Sequence, residues 1–454
     1  MSTTIAAIAT PQGAGGIGIV RISGPEAQEV ADKVFRSPGK KEIRDTAGYQ
    51  ALYGHVYEGD SLVDEAIALV FRAPRSYTGE DVVELSCHGG MYVLRRVLSA
   101  VLSAGAVAAA PGEFTKRAFL NGKMSLTQAE SVMDIIGAQG KQAAVAALSA
   151  REGVLGKRIQ GITHRLVELA AHLSAYIDYP EDDIPELQLG QLMQSLEGIL
   201  KELQHLLDTY DAGKMLREGV DTVIVGRPNV GKSTLMNLLS GMERSIVTHI
   251  PGTTRDVVEE TVQLGDVMLR LADTAGLHQT DDPVESIGIE MARSRLETAG
   301  LVLAVFDASQ NLENEDELLL KKLNGRPAVA VINKTDLSSN IDECLVRKHV
   351  PYVVTISAKQ GKGIEQLKEA VRSVLGTDAW DPSAGVLANE RQRDCVRKAQ
   401  EAVKEALDAA RMGMTYDAVS VSVEGAIDIL LQLTGERATE AVVNQVFARF
   451  CVGK

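Results

Sequence analysis

Aromatic residues are scarce in this chain of 454 residues, in which seven Phe, ten Tyr and one Trp make up only 4% of the sequence. Cysteine is scarcer still, because the chain has only four, and their wide spacing matches no disulfide framework or metal site. No apolar run approaches the length of a membrane-spanning helix, so we expect no membrane span. The N-terminus lacks a basic segment followed by an apolar signal core, which predicts a cytoplasmic protein.

Positive charge is also in short supply, since 47 basic residues are outnumbered by 61 acidic ones and the net charge is −14. An acidic protein is a poor general ligand for nucleic acid, so contact with RNA would need a local basic patch or a basic partner. Apolar residues make up 45% of the chain, which is enough for packed cores. The length predicts roughly three domains.

The most informative motif in the chain is Gly226-Arg-Pro-Asn-Val-Gly-Lys-Ser233, which fits the pattern of a phosphate-binding loop. An apolar run from Thr222 to Val225 predicts a strand before the loop, and the pattern from Thr234 to Leu239 predicts a helix after it. Glycines let backbone N–H groups face phosphates, Lys232 would reach the outer phosphates, and the Ser233 hydroxyl suits Mg²⁺. The motif therefore predicts a nucleotide site.

Three further elements follow in order, each after an apolar run typical of a buried strand. They are Asp273-Thr-Ala-Gly276, Asn333-Lys-Thr-Asp336 and Ser357-Ala-Lys359. An Asp at the first element suits Mg²⁺ through water, and its glycine suits the terminal phosphate. Asp336 would accept two hydrogen bonds from guanine, whereas adenine has no such donor pair and would leave a buried Asp336 unpaired. Together the four elements predict a GTP-binding domain similar to that of the translation-factor-related GTPases.

The usual catalytic group is missing from this set. Many small GTPases orient water with a Gln directly after the Asp-x-x-Gly element, and here that position is Leu277. Asn229, inside the phosphate loop, could help to hold a monovalent cation or could be an ordinary variable residue. Glu285 could position water through a second water, or could lie on a solvated acidic face or helix N-terminus. The residues alone leave both questions open.

The pattern along the chain predicts a multidomain protein of the α/β and all-α classes. Residues 1–120 are typical of an α+β domain, and residues 121–216 of the first half of a helical domain that begins with a possible capping box, Thr127-Gln-Ala-Glu130. Residues 217–378 predict the P-loop GTP-binding domain, a parallel sheet flanked by helices, and residues 379–454 the second helical half. The simplest interpretation is a GTPase inserted into one helical domain, and two separate helical domains are the alternative.

Gly13, Gly15 and Gly18 fit the glycine pattern of dinucleotide sites. That site requires a helix directly after the glycines, but the β-branched run Ile17 to Ile22 predicts a strand. The glycines therefore favour a turn between strands.

Several blocks outside the GTP elements identify a family when they are taken together. They are Ala9-Thr-Pro11, Gly15-Gly-Ile-Gly18, Arg21-Ile-Ser-Gly24, Tyr77-Thr-Gly-Glu-Asp81, Glu84, His88-Gly-Gly90, Pro111-Gly-Glu-Phe114, Arg117-Ala-Phe-Leu-Asn121, Leu126, Gln128-Ala-Glu130 and Phe450-Cys-Val-Gly-Lys454. With these blocks the chain closely resembles, from residue 5 to residue 454, the MnmE (TrmE) family of tRNA wobble-uridine modification GTPases. The ending and the Pro-Gly-Glu-Phe block are more specific than any GTP element.

The resemblance implies an N-terminal domain that binds formyl- or methylene-tetrahydrofolate and makes the protein a homodimer. The matching folate positions are Arg21, Glu84, Lys123 and Lys454. Cations suit the glutamate tail of folate, and a carboxylate suits the amide and amine donors of the pterin.

The resemblance also implies the ligands of two cations and the residues of the GTP site. The matching K⁺ positions are Asn229, Thr248, Ile250 and Thr253, and the matching Mg²⁺ positions are Ser233 and Thr254. The matching GTP positions are Asn229, Val230, Gly231, Lys232, Ser233, Thr234, Thr248, Thr253, Thr254, Asp273, Thr274, Ala275, Gly276, Asn333, Lys334, Asp336, Ser357, Ala358 and Lys359. Among the residues expected to be catalytic, Glu285 matches the family's water-positioning glutamate, and Asn229, Lys232 and Cys451 complete the set.

Cys451 belongs to the family's chain ending, whereas Cys87 and His278 depart from the family pattern. A cysteine four residues from the end is inert in most chains, but Lys454 could favour its thiolate, and the family's Cys-x-Gly-Lys ending implies importance for modification. Cys87 stands where a small or polar residue is expected. His278 stands where some relatives carry Arg, which leaves an arginine contribution there in doubt.

The activity implied by the resemblance is a potassium-activated GTP hydrolysis that controls tRNA modification. An FAD- and NADH-dependent partner, MnmG (GidA), would join in a heterotetramer or larger assembly and supply most of the tRNA contact. The product would carry an aminomethyl or carboxymethylaminomethyl group at the uridine 5-position, built from a tetrahydrofolate one-carbon unit and ammonium or glycine. Two alternatives remain: a ribosome-assembly or signalling GTPase, and a folate-dependent one-carbon transferase that GTP merely regulates.

Overall fold

The computed structural model describes residues 3–138, 140–178, 189–242, 259–272, 296, 298–376, 381 and 383–454. The chain divides into two compact units, one of residues 1–133, 151–200 and 395–454 and the other of residues 134–150 and 201–394. The predicted fold class is confirmed, since an N-terminal α+β region, long helices and a mainly parallel sheet between helices are all present. The domain boundaries at residues 120, 216 and 378 stay predictions.

The N-terminal part of the first unit is one seven-stranded sheet with three helices. Its strands are β1 (Ile5–Ile8), β2 (Ile17–Ser23), β3 (Phe35–Arg36), β4 (Gln50–Glu58), β5 (Ser61–Phe71), β6 (Val82–His88) and β7 (Val107–Ala108). Its helices are α1 (Ala27–Val34), α2 (Met91–Ser103) and α3 (Glu113–Leu120). The strand order is β3-β4-β5-β6-β2-β1-β7, antiparallel throughout except for the parallel pair β1 and β7.

Alternation along β2 and β6 decides which face of this sheet is covered. Val20 and Ile22 of β2 and Leu85 of β6 are fully buried in a core that also contains Val97 of α2. Arg21 and its register partner Glu84 point to the opposite face, because successive strand residues alternate between faces. The strand after the N-terminal glycines is confirmed, so the requirement for a dinucleotide helix is not met.

The helical segments are α4 (Leu126–Gly137), α5 (Lys141–Arg151), α6 (Val154–Asp178), α7 (Leu189–Asp208), α8 (Tyr210–Glu218), α13 (Glu390–Arg411), α14 (Tyr416–Thr434) and α15 (Glu440–Phe447). The predicted capping box at Thr127 and Glu130 is wrong in position. Gln128 N donates to Ser125 Oγ at 3.3 Å, and Ser125 N donates to Gln128 Oε1 at 2.9 Å, so Ser125 caps α4. Thr127 is instead 3% exposed. None of the helices in the described ranges is long and apolar enough to span a membrane.

Helices from before and after the six-stranded sheet pack together in the first unit. Helix α6 contacts α14 along its length. Ile159, Ile162 and Leu166 of α6 are buried at intervals of three and four residues, and α14 buries Val423 and Leu430. This spacing puts the apolar residues of each helix on one stripe, which is why two segments far apart in sequence form one layer.

The second unit is built on six strands in the order β13-β12-β11-β8-β10-β9. They are β8 (Val220–Val225), β9 (Glu259–Leu264), β10 (Val267–Ala272), β11 (Leu301–Asp307), β12 (Ala328–Asn333) and β13 (Tyr352–Thr355), and all adjacent pairs are parallel except β9 with β10. The helices between them are α9 (Lys232–Met242), α10 (Asn314–Leu323), α11 (Glu343–His349) and α12 (Ile364–Leu375).

The central strand β11 shows why the inner strands of this sheet are mostly apolar. Leu303 and Val305 pack on the side of α9 and α12, whereas Ala304 and Phe306 pack on the side of α10 and α11. A parallel sheet covered on both faces buries every side chain, so its strands lose the polar alternation of a half-exposed sheet. The strands predicted before the four GTP elements are confirmed.

We expect Gly112→Ala to destabilise the first unit strongly. Gly112 has φ +66°, and a Cβ there would lie 2.7 Å from the Phe447 carbonyl oxygen and 2.8 Å from Phe450 Cβ. Backbone strain and the clash together should lower the free energy of unfolding by about 2–4 kcal/mol in a urea titration. Gly122→Ala is the matched control, since Gly122 has φ +69° with nothing within 4 Å, and should cost about 1 kcal/mol. Equal losses in the two variants would contradict the packing argument.

Candidate functional site

The phosphate loop joins β8 to α9, as the sequence predicts. A Cβ on Gly226 would lie 2.3 Å from the Val305 carbonyl oxygen, and a Cβ on Gly231 would lie 2.3 Å from Asn333 Nδ2. Both glycines also have positive φ angles, +146° and +98°. The loop therefore fits its neighbours only because these two positions have no side chain, and its backbone faces a space suited to phosphate.

Polar groups on the open side of the loop are accessible. Asn229 has φ +63° and is exposed, as are Ser233 and Thr234 in the first turn of α9. Lys232 Nζ donates to the carbonyl oxygens of Gly226 at 2.8 Å and Arg227 at 2.7 Å. Burial lowers the pKa of the Lys232 ammonium. Because an ammonium has three donors and a rotatable stem, Lys232 can turn from these carbonyls to an anion.

Asn333 connects three of the predicted elements. Its side chain is 2% exposed, its Nδ2 donates to the Val230 carbonyl oxygen at 3.0 Å, and its Oδ1 accepts from Ala358 N at 3.0 Å. One amide thus fixes the end of β12 to the phosphate loop on one side and to the segment after β13 on the other. The structure brings these three sequence elements together at the carboxyl edge of the sheet.

Asp336, the acceptor expected for the guanine edge, lies in the loop after β12. It is exposed, while Ser357 and Ala358 beside it are buried and Lys359 is exposed. Ser357 Oγ donates to Asp336 Oδ1 at 2.6 Å, and this bond holds the pKa of the carboxyl below its usual value. Recognition of guanine by Asp336 stays a prediction. An exposed carboxylate can accept further donors from a ligand.

Lys334 has a partner that sequence reasoning missed. Its Nζ donates to Asp307 Oδ2 at 2.6 Å, and Asp307 Oδ1 accepts from Ser309 N at 2.9 Å and Ser309 Oγ at 2.7 Å. Burial acts to raise the pKa of Asp307, but the bonds from Lys334 and Ser309 outweigh it and lower that pKa. A signal was present in the sequence, since Asp307 ends an apolar strand as Asp273 and Asn333 do.

Nine of the predicted site residues lie outside the described residues. They are Thr248, Ile250, Thr253, Thr254, Asp273, Thr274, Ala275, Gly276 and Glu285. Their predicted contacts with K⁺, Mg²⁺, GTP and water stay predictions. Leu277 also lies outside the described residues, so the effect on hydrolysis of a Leu in place of the water-orienting Gln stays a prediction as well.

A second charged cluster lies in the first unit, on the face of the seven-stranded sheet opposite α1 and α2. Arg21 Nε donates to Glu84 Oε1 at 2.8 Å, and Arg21 Nη1 donates to the Gly453 carbonyl oxygen at 3.2 Å. The Arg21 guanidinium also lies 5.6 Å from the Tyr77 ring centroid and 5.5 Å from that of Phe114. Both aromatic residues belong to family blocks in the sequence, but the sequence alone did not show that they position the arginine.

The C-terminal segment completes this cluster. Gly453 has φ +97°, and a Cβ there would lie 2.3 Å from the Ile8 carbonyl oxygen, so the chain end packs tightly on β1. Burial first, and the charge of Arg21 second, lower the pKa of Lys454. Cys451 is exposed and its thiol is free. Lys123, the fourth predicted folate residue, makes its contact with another segment, where its Nζ donates to the Pro74 carbonyl oxygen at 3.0 Å.

Comparison with protein families and relatives covers nearly the whole chain. A family model described as the N-terminus of the GTP-binding protein TrmE matches residues 4–123, and one described as the MnmE helical domain matches residues 126–451. Curated relatives named tRNA modification GTPase MnmE are 41% identical over 454 residues in Clostridioides difficile, 44% over 462 in Heliobacterium modesticaldum and 43% over 458 in Geobacillus thermodenitrificans. Each match covers 99% of both chains.

Solved structures match a smaller part of the chain. The G domain of the FeoB iron transporter from T. maritima is 30% identical, with 34% of this chain and 98% of that chain covered and a TM-score of 0.26. Era from Aquifex aeolicus is 28% identical, with 40% and 66% covered and a TM-score of 0.26.

We expect Asp336→Asn to change the base specificity of the site from guanine to xanthine. An amide offers a donor where the carboxylate only accepts, which suits the 2-oxo group of xanthine and leaves the guanine amine unpaired. The affinity for GTP should fall at least about a hundredfold and that for XTP should rise, as measured by titration with fluorescent nucleotides. Asp342→Asn, at the N-cap of α11, is the control and should change neither affinity. Undiminished GTP binding by Asp336→Asn would refute the assignment of the base site.

Proposed function

The chain belongs to the MnmE family of tRNA modification GTPases, and on that premise we propose that it is a homodimeric, potassium-activated GTPase that modifies the wobble uridine of tRNA. The modification is an aminomethyl or carboxymethylaminomethyl group at the 5-position. The one-carbon unit comes from a tetrahydrofolate derivative, and the FAD-dependent MnmG (GidA) protein is the partner. The place of action is the cytoplasm.

The bridge made by Asn333 is the observation that carries the GTPase part of the proposal. Its two hydrogen bonds hold the phosphate loop and the segment of Ser357 and Ala358 at one strand edge. Phosphate donors and a base acceptor, Asp336, then belong to one site. Ligands in open α/β sheets bind outside the carboxyl ends of the strands, which is where these groups lie.

The described part of the loop fits the proposed cations. Ser233 exposes its hydroxyl at the start of α9, where it suits Mg²⁺ together with Thr254. Asn229 exposes its amide oxygen from a left-handed backbone position, where it suits K⁺ together with the backbone of Thr248, Ile250 and Thr253. A monovalent cation there supplies positive charge beside the phosphates, the role of an arginine in other GTPases. Glu285 would position water, because Leu277 offers no polar group.

We expect GTP hydrolysis to be faster in KCl than in NaCl at equal ionic strength, and this difference to vanish in Asn229→Ala. The side-chain oxygen is the contribution of Asn229 to the cation site, so its removal should bring the ratio of the two steady-state rates toward unity. The measurement is phosphate release under saturating GTP.

A second variant separates side-chain loss from backbone strain. Alanine is strained at φ +63°, whereas glycine is not, so Asn229→Gly removes the oxygen and keeps the loop conformation. Both variants should lose the potassium effect. If Asn229→Gly keeps it, the oxygen is not a potassium ligand, and the proposal fails at this residue.

The cluster of Arg21, Glu84 and Lys454 supports the folate part of the proposal. Two cations and a carboxylate lie together on one face of the sheet, and the Arg21 guanidinium also lies over the rings of Tyr77 and Phe114. Glu84 suits the donors of a pterin, while Lys454 and Lys123 suit carboxylates. A tetrahydrofolate bound there would supply the one-carbon unit. Cys451 is exposed three residues before Lys454, within the same chain end.

The same sheet face supports the homodimer. Tyr53 of β4 is the register partner of Ile67 of β5, and Ser86 of β6 is the partner of both Ile67 and Ile19. These four residues form a row beside the pair of Arg21 and Glu84. Tyr53 is 54% exposed and Ile67 is 49% exposed. Exposed apolar groups in a continuous row mark a protein contact, and a second copy that covers them would also enclose the folate cluster.

The net charge of −14 supports the proposal that the partner, and not this chain, provides most of the contact with tRNA. A polyanion is repelled by a surface with an excess of carboxylates, so the partner would provide most of the basic contact, and this chain would provide GTP hydrolysis and folate.

We expect Arg21→Gln to weaken binding of 5-formyltetrahydrofolate by about tenfold to a hundredfold in isothermal titration calorimetry. The change removes a charge with two hydrogen bonds and two ring contacts, and a charged hydrogen bond contributes about 1.5–3 kcal/mol. Arg36→Gln is the control, because Arg36 also pairs with a carboxylate and lies over a ring, Tyr57, but at the other edge of the sheet. If the Arg21 variant binds as tightly as the wild type, the folate site lies elsewhere.

A further inference from the structure

We propose that residues 307–316, which run from the last residue of β11 into the first turn of α10, set the distance between the phosphate loop and the base-recognition loop of residues 333–336. Acidic groups at the two ends of this segment each hold a cation from one of the two loops. The inference rests on the proposed GTP site. It assigns positioning roles to Asp307 and Asp316, which lie outside the GTP elements, and to Arg227, at a position of the phosphate-loop pattern that accepts any residue.

The base side of the segment is the pair of Asp307 and Lys334. Asp307 is 4% exposed, and its two oxygens are occupied by separate donors, Lys334 Nζ on Oδ2 and Ser309 on Oδ1. Lys334 has φ +65° and leaves the end of β12 in a left-handed turn. Because its ammonium is fixed, the side chain of Lys334 is held in place two residues before Asp336.

The phosphate side of the segment is held by Arg227. This residue follows Gly226 in the phosphate loop, and its guanidinium forms ion pairs with Glu313 and, at 2.8 Å from Nε to Oδ2, with Asp316. Its Nη2 also donates to Gln310 Oε1 at 3.4 Å. The carbonyl oxygen of the same residue accepts from Lys232, so Arg227 also fixes the lysine expected to bind phosphate.

The segment itself is anchored at both ends. Asp307 ends a strand that lies in the middle of the sheet, and Ala308 N donates to the Asn333 carbonyl oxygen at 2.8 Å. At the other end, Asp316 is 2% exposed and closes a capping box in which Glu313 N donates to Asp316 Oδ2 at 3.0 Å. A capping box fixes the first turn of a helix, so α10 starts at a defined distance from the strand.

A nucleotide spans both loops, so its affinity depends on the distance between them. A small misplacement of a group that binds the ligand weakens binding even when every contact residue is present. The segment therefore contributes to GTP binding without touching GTP. This contribution acts equally on substrate and transition state, which predicts a change in KM with an unchanged kcat.

The test is Asp307→Asn, which keeps an oxygen for Ser309 and replaces the charge opposite Lys334 with a donor. We expect the Kd and KM for GTP to rise about tenfold, which corresponds to about 1.4 kcal/mol, with kcat unchanged. The ratio of GTP to ITP affinity should stay at its wild-type value. This ratio reports the bond between Asp336 and the exocyclic amine of guanine, which the substitution does not alter. Arg227→Gln should raise the Kd for GTP and GDP alike.

Three further variants make the outcome decisive. Ser309→Ala removes only one donor to Asp307 and should give a smaller increase of the same kind, which serves if Asp307→Asn folds poorly. Glu343→Gln breaks an exposed ion pair with Arg347 in the same unit and should change nothing. Lys232→Ala should abolish GTP binding if the proposed site is correct.

The results separate this inference from the proposed function. If Lys232→Ala binds GTP normally, the proposed GTP site fails first. If Lys232→Ala loses binding but Asp307→Asn and Arg227→Gln keep the wild-type Kd, only the positioning role is overturned. A lower thermal midpoint of Asp307→Asn with an unchanged Kd would show that Asp307 is merely structural.

Discussion

Two hydrogen bonds of one buried amide, Asn333, are the constraint on which the nucleotide site depends. An asparagine side chain can donate and accept at the same time, and here the donor is used on the phosphate loop and the acceptor on the segment after β13. No charged side chain could do both at this depth, because burial of an unpaired charge is costly. The absence of side chains at Gly226 and Gly231 is a consequence, since the loop must approach its neighbours closely enough for those bonds.

The first unit solves a similar problem with an arginine. Arg21 is a largely buried cation, and Glu84, the Gly453 carbonyl and two rings fix it in place. The carbonyl comes from the chain end, 432 residues away in sequence. The geometry of the N-terminal sheet face is therefore complete only when the C-terminal segment has packed on β1, which explains why a glycine is required at residue 453.

The sequence predicts the strands of the second unit well because a parallel sheet buries both faces, and each strand is a short uninterrupted apolar run. It predicts the phosphate loop because glycine, lysine and serine are needed at fixed positions. It fails at the start of α4, where Ser125 and Gln128 form the cap instead of Thr127 and Glu130. Both pairs fit the capping pattern, and only the burial of Thr127 in the structure distinguishes them. The sequence does not predict how exposed Asp336 is, because the loop beyond a strand end has no periodicity from which exposure follows.

Contacts between distant residues are the part that local patterns miss. Asp307 resembles any polar residue at a strand end until its distance to Lys334 is known, and Arg227 occupies a position of the phosphate-loop pattern that accepts any residue. In both cases a buried carboxylate of one segment fixes a cation of a nucleotide loop. Carboxylates so deeply buried are tolerated only when they are paired, so the loss of either partner affects the fold as well as the loop. The elements that bind GTP are thus short and recognisable, whereas the residues that hold them at the right distance are recognised only by their burial and their partners.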